Sequence, residues 1–118
     1  MKPMILIADD NYPMRKMIRS LVEDLDNEIL ECADGSAAVS LYEQHRPDLV
    51  LMDVSMHPVD GITATREITG RHPSARIVII TEHDDAETRE HALRAGASNF
   101  IGKEDLRPLR PLICGNAV

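Results

Sequence analysis

Cysteine is scarce in this chain, and long apolar runs are missing. The 118 residues include two cysteines, Cys32 and Cys114, which lack disulfide-type spacing and belong to no metal-binding pattern. We therefore expect reduced thiols, with Cys32 as a small core residue. The apolar run at 4–8 is too short for a signal peptide, and no stretch approaches a membrane span. These absences predict a soluble, cytoplasmic protein.

Basic residues are in the minority. Lys and Arg number 13 against 20 Asp and Glu, which gives a formal net charge of −7 at pH 7. Because phosphate-backbone binding depends on clustered basic residues, direct nucleic-acid binding by this domain is not expected. The acidity suits a divalent-cation site, although a solvated acidic surface explains most of it whatever the function. The length predicts a single domain over residues 1–118, without room for a second.

Strand-length apolar runs alternate with helical patterns. The stretch from Asp48 to Asp53 is almost wholly apolar without alternation, which is typical of a central strand covered on both faces. Further strands are predicted at 4–8, 28–33, 76–81 and 99–102, and helices at 13–25, 36–46, 61–71, 86–95 and from 106. Five alternations predict an α/β fold: a parallel sheet in the flavodoxin-like order 2-1-3-4-5, between two layers of helices.

Helix ends are predicted from capping residues and prolines. Ser36 is expected to cap the second helix, and Asp84 with Glu87 should form a capping box on the fourth. Pro108 and Pro111 interrupt the apolar spacing of the fifth helix. An interior proline costs about 3 kcal/mol, so this helix should be short, kinked or partly unravelled.

Polar residues stand where the predicted strands end: Asp9 and Asp10 after the first, Asp53 after the third, Thr81 at the fourth and Lys103 after the fifth. Carboxyl ends of parallel strands share one edge, so the three acids should converge. Oxygen ligands of this kind suit Mg²⁺ or Mn²⁺, and a carboxylate beside such an ion can act as a nucleophile toward a phosphoryl group. The alternative is that these acids are only helix caps and turn residues.

The sequence resembles the receiver domains of bacterial two-component response regulators, the CheY-like superfamily. The matching pieces cover residues 5 to 103 in family order and spacing; they are Ile7-Ala8-Asp9-Asp10-Asn11, Ala33-Asp34-Gly35, Pro47 through Asp53, Met56, Asp60-Gly61, Ile79-Ile80-Thr81, Arg94-Ala95-Gly96-Ala97 and Lys103.

The resemblance implies a phosphorylation-controlled signalling switch. Asp53 would be the phosphoacceptor, taking a phosphoryl group from the phosphohistidine of a sensor histidine kinase or phosphotransfer protein. Asp10 and Asp53 would bind Mg²⁺ directly with the backbone carbonyl of Ser55, and Asp9 would act mainly through water. Such a domain is not an enzyme acting on outside substrates, since it catalyses only its own phosphorylation and dephosphorylation.

The resemblance also implies how the signal leaves the site. Thr81 would hydrogen-bond one phosphoryl oxygen and Lys103 would pair with another. Movement of Thr81 and of Phe100 would reshape the face formed by helix four, strand five and helix five. That face would contact a downstream protein, a tethered effector domain or a second copy of the chain.

Several residues near the site depart from the family pattern. Proline stands one place late, in Met56-His57-Pro58, so His57 is either a solvated loop residue or a pH-sensitive group near the metal. Glu82 replaces a commonly small residue and should slow phosphorylation by small donors, since a carboxylate repels phosphate. His83 beside it is also expected to modulate the site.

Phe100 stands where tyrosine is frequent. Without a hydroxyl it loses no hydrogen bond to water on turning inward, so the unphosphorylated domain should be partly shifted toward its active form; the alternative is a plain core phenylalanine. Two further functions stay open. One is a pseudo-receiver that keeps the fold without using phosphate. The other is a Mg²⁺ phosphohydrolase, which is disfavoured because Asp53-Val54-Ser55 lacks a second acid.

Overall fold

A computed structural model describes residues 2–114, in which strands and helices alternate. The strands are β1 (Met4–Ala8), β2 (Glu28–Cys32), β3 (Leu49–Met52), β4 (Ile77–Thr81) and β5 (Asn99–Gly102). The helices are α1 (Tyr12–Val22), α2 (Gly35–His45), α3 (Gly61–Arg71), α4 (Ala86–Arg94) and α5 (Leu109–Ile113), and a 3₁₀ turn (Glu23–Leu25) prolongs α1. Within residues 2–114, no helix has the length and apolar character that crossing a membrane requires.

The five strands form one parallel sheet in the order β2-β1-β3-β4-β5, which confirms the predicted topology. In the register of the central pair, Ala8 lies opposite Met52. The residues that follow these two strands, Asp9 and Asp53, are therefore neighbours. At the other side of the sheet Thr81 lies opposite Gly102, so Lys103 leaves β5 at the same edge.

The core consists of two apolar layers, one on each face of the sheet. Val50 and Met52 belong to the layer covered by α2 and α3, whereas Leu49 and Leu51 belong to the layer covered by α1 and α5. Both faces of β3 are thus buried, which explains its unbroken apolar run. Cys32 packs half-buried against the first layer, and burial raises the pKa of its thiol to about 11.

Aspartates cap α2, α3 and α4, and two of the predicted caps are wrong. The Asp34 carboxylate accepts a hydrogen bond from the Ala37 N–H at 2.9 Å, so α2 begins before Ser36, which is exposed within the first turn. On α4 the cap is Asp85, whose carboxylate accepts from the Thr88 N–H at 2.8 Å. The capping box of Asp84 with Glu87 does not form; Asp84 instead pairs with the Arg89 guanidinium at 2.9 Å.

Helix α5 has only 5 residues, as the prolines predict. It starts after Pro108, and Pro111 falls in its first turn, where a missing N–H leaves no intrahelical bond unmade. Arg110 fastens this short helix to the end of α1: its guanidinium donates to the Leu21 carbonyl at 2.8 Å and to the Asp24 carboxylate at 2.7 Å.

A charged cluster attaches α1 to the edge strand β2. The Glu31 carboxylate, with 14% of its side chain exposed, pairs with Arg15, Lys16 and Arg19 at 2.9, 2.9 and 2.6 Å. Burial alone would raise the pKa of Glu31, but hydrogen bonds from the three basic residues outweigh it and lower that pKa to about 2. Arg15 also donates to the Asp9 carbonyl at 2.8 Å, so this "Glu31 cluster" supports the end of β1.

Candidate functional site

Three aspartates meet where β1 and β3 end. The Asp53 N–H donates to the Ala8 carbonyl at 2.9 Å, which continues the sheet ladder by one residue and fixes Asp53 beside Asp9. One carboxylate oxygen from each of Asp9, Asp10 and Asp53 can be chosen so that all three lie within 4.8 Å of one another. Asp9 and Asp53 are buried, with 1% and 4% exposure, whereas Asp10 is exposed. The site therefore has two buried acids and one acid in contact with water.

Lys103 joins the two buried acids. Its ammonium lies 3.0 Å from Asp9 Oδ2 and 3.2 Å from Asp53 Oδ1. The backbone holds it there, because the Lys103 N–H donates to the Thr81 carbonyl at 2.8 Å. Burial opposes the charge of this lysine, but the close contact with the two negatively charged carboxylates exceeds that effect and raises its pKa. The ammonium is thus charged at neutral pH.

Asp53 itself is under electrostatic strain. Burial and the negative charge of Asp9 raise its pKa from 3.8 to about 6, although Lys103 acts in the opposite direction. The site favours the charged form of Lys103 but disfavours the charged form of Asp53. The reason is that Lys103 contacts two carboxylates, whereas Asp53 shares one lysine and faces two other acids. A group that brings positive charge to these aspartates would relieve the strain.

The donor set fits a divalent cation. Asp9 Oδ2 is buried and, among the described residues, accepts no hydrogen bond; its contact with Lys103 is an ion pair without hydrogen-bond geometry. The other Asp9 oxygen accepts from the Asn11 N–H at 2.8 Å. An orphaned buried oxygen beside two more carboxylates is the kind of oxygen-only site that Mg²⁺ or Mn²⁺ occupies.

These groups surround a small polar cavity of about 170 Å³, which opens to solvent. Its lining residues are Asp10, Asn11, Asp53, Ser55, Glu82, His83 and Lys103. Larger apolar grooves, of about 650 and 740 Å³, run along α4 and between α1 and the segment after β5. Asp10, Asp53 and Lys103 converge in the small cavity, which makes it the candidate functional site.

The remaining predicted site residues fall at different distances from the cavity. Thr81 is fully buried at the end of β4, and its hydroxyl accepts from the His83 N–H at 3.0 Å. Glu82 lines the cavity and is exposed. His57 is exposed, is followed by a cis peptide bond to Pro58, and is absent from the cavity lining.

One contact and one glycine were not foreseen from the sequence. The His83 ring meets the Ser55 hydroxyl, with Nε2 and Oγ 3.1 Å apart. Gly61, the first residue of α3, packs directly on the Asp53 backbone: a Cβ there would lie 1.8 Å from the Asp53 carbonyl oxygen. The first contact pairs residues from distant loops. The close packing of Gly61 is indicated by the Asp60-Gly61 pair, in which the helix cap is followed by a residue without a side chain.

Phe100 lies inside the protein, 7% exposed, in the layer that α2 and α3 cover. The Arg89 guanidinium covers its ring, with Cζ 4.6 Å from the ring centroid. Because Arg89 is also held by Asp84, the inward position of Phe100 has a cation–π contact as well as apolar packing behind it.

Comparison with known proteins identifies the family. The family described as response regulator receiver domain matches residues 5–112. The chain is 41% identical over 100 residues to the chemotaxis protein CheY of Bacillus subtilis, covering 84% of this chain and 83% of that protein. It is 34% identical over 105 residues to the transcriptional regulatory protein DegU of Brevibacillus brevis, covering 87% of this chain but only 44% of DegU.

A solved structure gives the same result at the level of the backbone. The crystal structure of a CheX–CheY–BeF₃–Mg²⁺ complex from Borrelia burgdorferi superposes with a TM-score of 0.88 at 28% identity, covering 98% of this chain and 90% of that one. Three observations point to one family: the order of the sheet, the acids at the ends of β1 and β3, and the family match over residues 5–112. The chain belongs to the receiver domains of the two-component response regulator family.

Proposed function

We propose that Asp53 accepts a phosphoryl group from the phosphohistidine of a sensor histidine kinase or a phosphotransfer protein, in a reaction that requires Mg²⁺. The observation that supports this best is the buried Asp53 carboxylate, which lies in one small cavity with two further acids and a charged lysine. Burial keeps competing water away from this carboxylate, and the raised pKa of Asp53 shows that its charge is poorly stabilised.

In the transfer step, an Asp53 oxygen attacks phosphorus from the side opposite the histidine nitrogen. The P–N bond breaks, its electron pair stays on the imidazole, and Asp53 becomes an acyl phosphate. Lys103, already 3.2 Å from Asp53, pairs with a transferred oxygen, and the Thr81 hydroxyl donates a hydrogen bond to another. Bound Mg²⁺ would neutralise charge between the phosphoryl group and the acids.

The residues available to hold Mg²⁺ are Asp10, Asp53 and the Ser55 carbonyl, with Asp9 acting through water. Asp10 is the exposed acid of the three, so it can bind an arriving hydrated ion first. The BeF₃ and Mg²⁺ in the similar Borrelia burgdorferi complex support this assignment. Mn²⁺ satisfies the same oxygen ligands.

We assign the control of downstream partners to the exposed face of α4, β5 and α5. A phosphoryl group that draws the Thr81 hydroxyl toward it breaks the contact of this hydroxyl with the His83 N–H. Phe100 is already inward in this structure, which supports a population partly shifted toward the active form. The face would control a downstream protein, a tethered effector domain or a second copy of the chain, all in the cytoplasm. This domain itself would not contact nucleic acid.

Incubation with Mg²⁺ and acetyl phosphate, followed by intact mass measurement, tests the proposal. The wild type should gain one acid-stable, base-labile phosphoryl group, and Asp53→Asn should gain none. Asp26→Asn is the matched control, since Asp26 is a surface residue whose side chain is 86% exposed; it should react like the wild type. A wild type that stays unmodified with acetyl phosphate and with a phosphorylated kinase would make this chain a pseudo-receiver.

A further inference from the structure

The peptide group that joins Asp9 to Asp10 is held by a side chain of α1. Arg15 Nη1 donates to the Asp9 carbonyl oxygen at 2.8 Å. This oxygen and the Asp10 N–H belong to one planar peptide group, so the hydrogen bond fixes the plane that links the two acids. On its other side Asp9 donates its own N–H to the Cys32 carbonyl at 3.1 Å. The backbone of Asp9 is therefore held by the sheet and by Arg15.

Arg15 is itself fixed by its other neighbours. Its Nε donates to the Glu31 carboxylate at 2.9 Å, and its Cζ lies 5.3 Å from the centroid of the Tyr12 ring. The side chains of Arg15 and Glu31 are only 15% and 14% exposed, and the other two basic residues of the Glu31 cluster hold the carboxylate from the outside. The guanidinium therefore cannot turn away from Asp9 without losing a partly buried ion pair.

The orientation of this peptide group decides where two acids of the site lie. One Asp9 oxygen accepts from the Asn11 N–H at 2.8 Å, and the other accepts no hydrogen bond among the described residues; Asp10 is the exposed acid beside it. Mg²⁺ requires its oxygen ligands in near-octahedral geometry and tolerates little departure from it. A peptide group free to rotate between the two acids would spread their oxygens over many positions, which weakens binding of the ion.

We propose that Arg15 is a positioning residue for the divalent cation: supported by Glu31, it holds the Asp9–Asp10 peptide group so that the acids are placed for Mg²⁺. This proposal rests on the proposed function, which requires that ion. Arg15 is not a ligand and acts only through the Asp9 carbonyl. A positive charge so close would by itself repel the ion, but Glu31 lies 2.9 Å from the guanidinium and compensates it.

Arg15→Gln should weaken Mg²⁺ binding by about 10-fold, the lower end of the roughly 10–100-fold loss that follows removal of a group behind a metal ligand. Lys16→Gln is the matched control. Lys16 pairs with the same Glu31 at 2.9 Å, so its loss removes the same charge from the same cluster, but the hydrogen bond to the Asp9 carbonyl comes from Arg15. Lys16→Gln should therefore bind Mg²⁺ at least as tightly as the wild type.

The experiment titrates Mg²⁺ alone into each full chain, without a phosphoryl donor, and takes the dissociation constant from backbone amide shifts in NMR spectra. The Asp10 amide nitrogen gives a second readout before the ion is added. The carbonyl of its own peptide group loses a hydrogen bond in Arg15→Gln, so its resonance should move further there than in Lys16→Gln. Urea midpoints in chelator should fall in both variants, since both remove a partner of Glu31, whereas Mg²⁺ affinity should fall in Arg15→Gln alone.

Arg15→Lys keeps the proposal testable if Arg15→Gln does not fold. It retains the charge beside Glu31 but has one donor nitrogen in place of the planar fork that reaches both Glu31 and Asp9. It should therefore keep most of the stability of the wild type and still bind Mg²⁺ more weakly.

A loss of Mg²⁺ affinity confined to the Arg15 variants, with a displaced Asp10 amide, supports the proposal. Equal affinity in Arg15→Gln and the wild type overturns it. An equal loss in Arg15→Gln and Lys16→Gln also overturns it, because the cluster would then act through stability or charge alone. A wild type that binds no Mg²⁺ overturns the ion requirement of the proposed function as well. Mg²⁺ binding that is the same in the wild type and every variant overturns the role of Arg15 and leaves phosphorylation of Asp53 untouched.

Discussion

The buried charge of Asp53 should make this domain less stable than it could be. The folded protein raises the pKa of Asp53 from 3.8 to about 6, through burial and the charge of Asp9. An acid whose pKa is higher in the folded state binds its proton more tightly there, so ionising it costs stability. The cost is absent below pH 3.8, grows between 3.8 and about 6, and is complete above about 6. Asp53→Asn removes the charge and should therefore stabilise the protein.

The magnitude follows from the pKa difference. Each pKa unit corresponds to about 1.4 kcal/mol. A rise from 3.8 to about 6 therefore means that the ionised Asp53 lowers the free energy of unfolding by at most about 3 kcal/mol at pH 7.5. The asparagine amide can accept from Lys103 and donate to Asp9, which keeps the buried site hydrogen-bonded. We expect a gain of about 2 to 3 kcal/mol at pH 7.5 and close to none at pH 4.

Urea unfolding at both pH values, with chelator and with excess Mg²⁺, measures this difference. Mg²⁺ stabilises a folded state that binds it and loses a ligand in the variant, so the gap between wild type and Asp53→Asn should narrow when the ion is added. Asp26→Asn, which changes an exposed aspartate, should give wild-type values throughout. If Asp53→Asn were no more stable than the wild type in chelator at pH 7.5, Lys103 would compensate the Asp53 charge fully and the reasoning would be refuted.

Three further predictions concern single residues. Glu82→Ala should speed phosphorylation by acetyl phosphate, because a carboxylate at the cavity repels an incoming phosphate; an unchanged rate in a stopped-time mass assay would contradict this. Glu31→Gln should cost about 1–2 kcal/mol at pH 7 after allowance for screening by water. The lowered pKa of Glu31, about 2, means that this loss vanishes as pH falls from about 4.5 toward 2, which urea unfolding across pH can show. Gly61→Ala should destabilise by about 3 kcal/mol, since its Cβ meets the Asp53 carbonyl. Gly70→Ala in the same helix meets open space and should instead stabilise by about 0.5–1 kcal/mol, so equal melting temperatures for these two variants would refute the comparison.

The strands and the parallel sheet were predictable because each strand is marked by composition, whereas the strand order was taken from the flavodoxin-like fold. β3 carries four consecutive apolar residues that divide between two faces, as a central strand of a parallel sheet requires. Once the order is fixed, the meeting of Asp9 with Asp53 follows from register. The N-cap residues of the helices were harder to predict. Asp34 and Ser36 are both good caps for α2, and only the observed start of this helix at Gly35 distinguishes them.

Contacts between loops were beyond prediction for a different reason. Ser55 and His83 are separated by 28 residues, and neither belongs to a periodic pattern, so no spacing argument joins them. The three partners of Glu31 are likewise set by how α1 lies across β2. The predicted cap of α4, Asp84, lies one residue before the observed cap, Asp85. Both side chains carry a carboxylate that can cap a helix, and because Asp84 pairs with Arg89, Asp85 caps α4.

The segment from Thr81 to Asp85 connects the cavity to the proposed output face. The His83 N–H holds the Thr81 hydroxyl, and the His83 ring holds Ser55 at the mouth. Two residues further on, Asp85 caps α4, and Asp84 holds the Arg89 guanidinium over Phe100. A movement of Thr81 toward a phosphoryl group therefore acts on a chain of adjacent hydrogen bonds that reaches Phe100 within one loop. In this protein the aromatic residue is held from outside by a cation as well as from inside by the core, so its position depends on the loop even though it has no hydroxyl of its own.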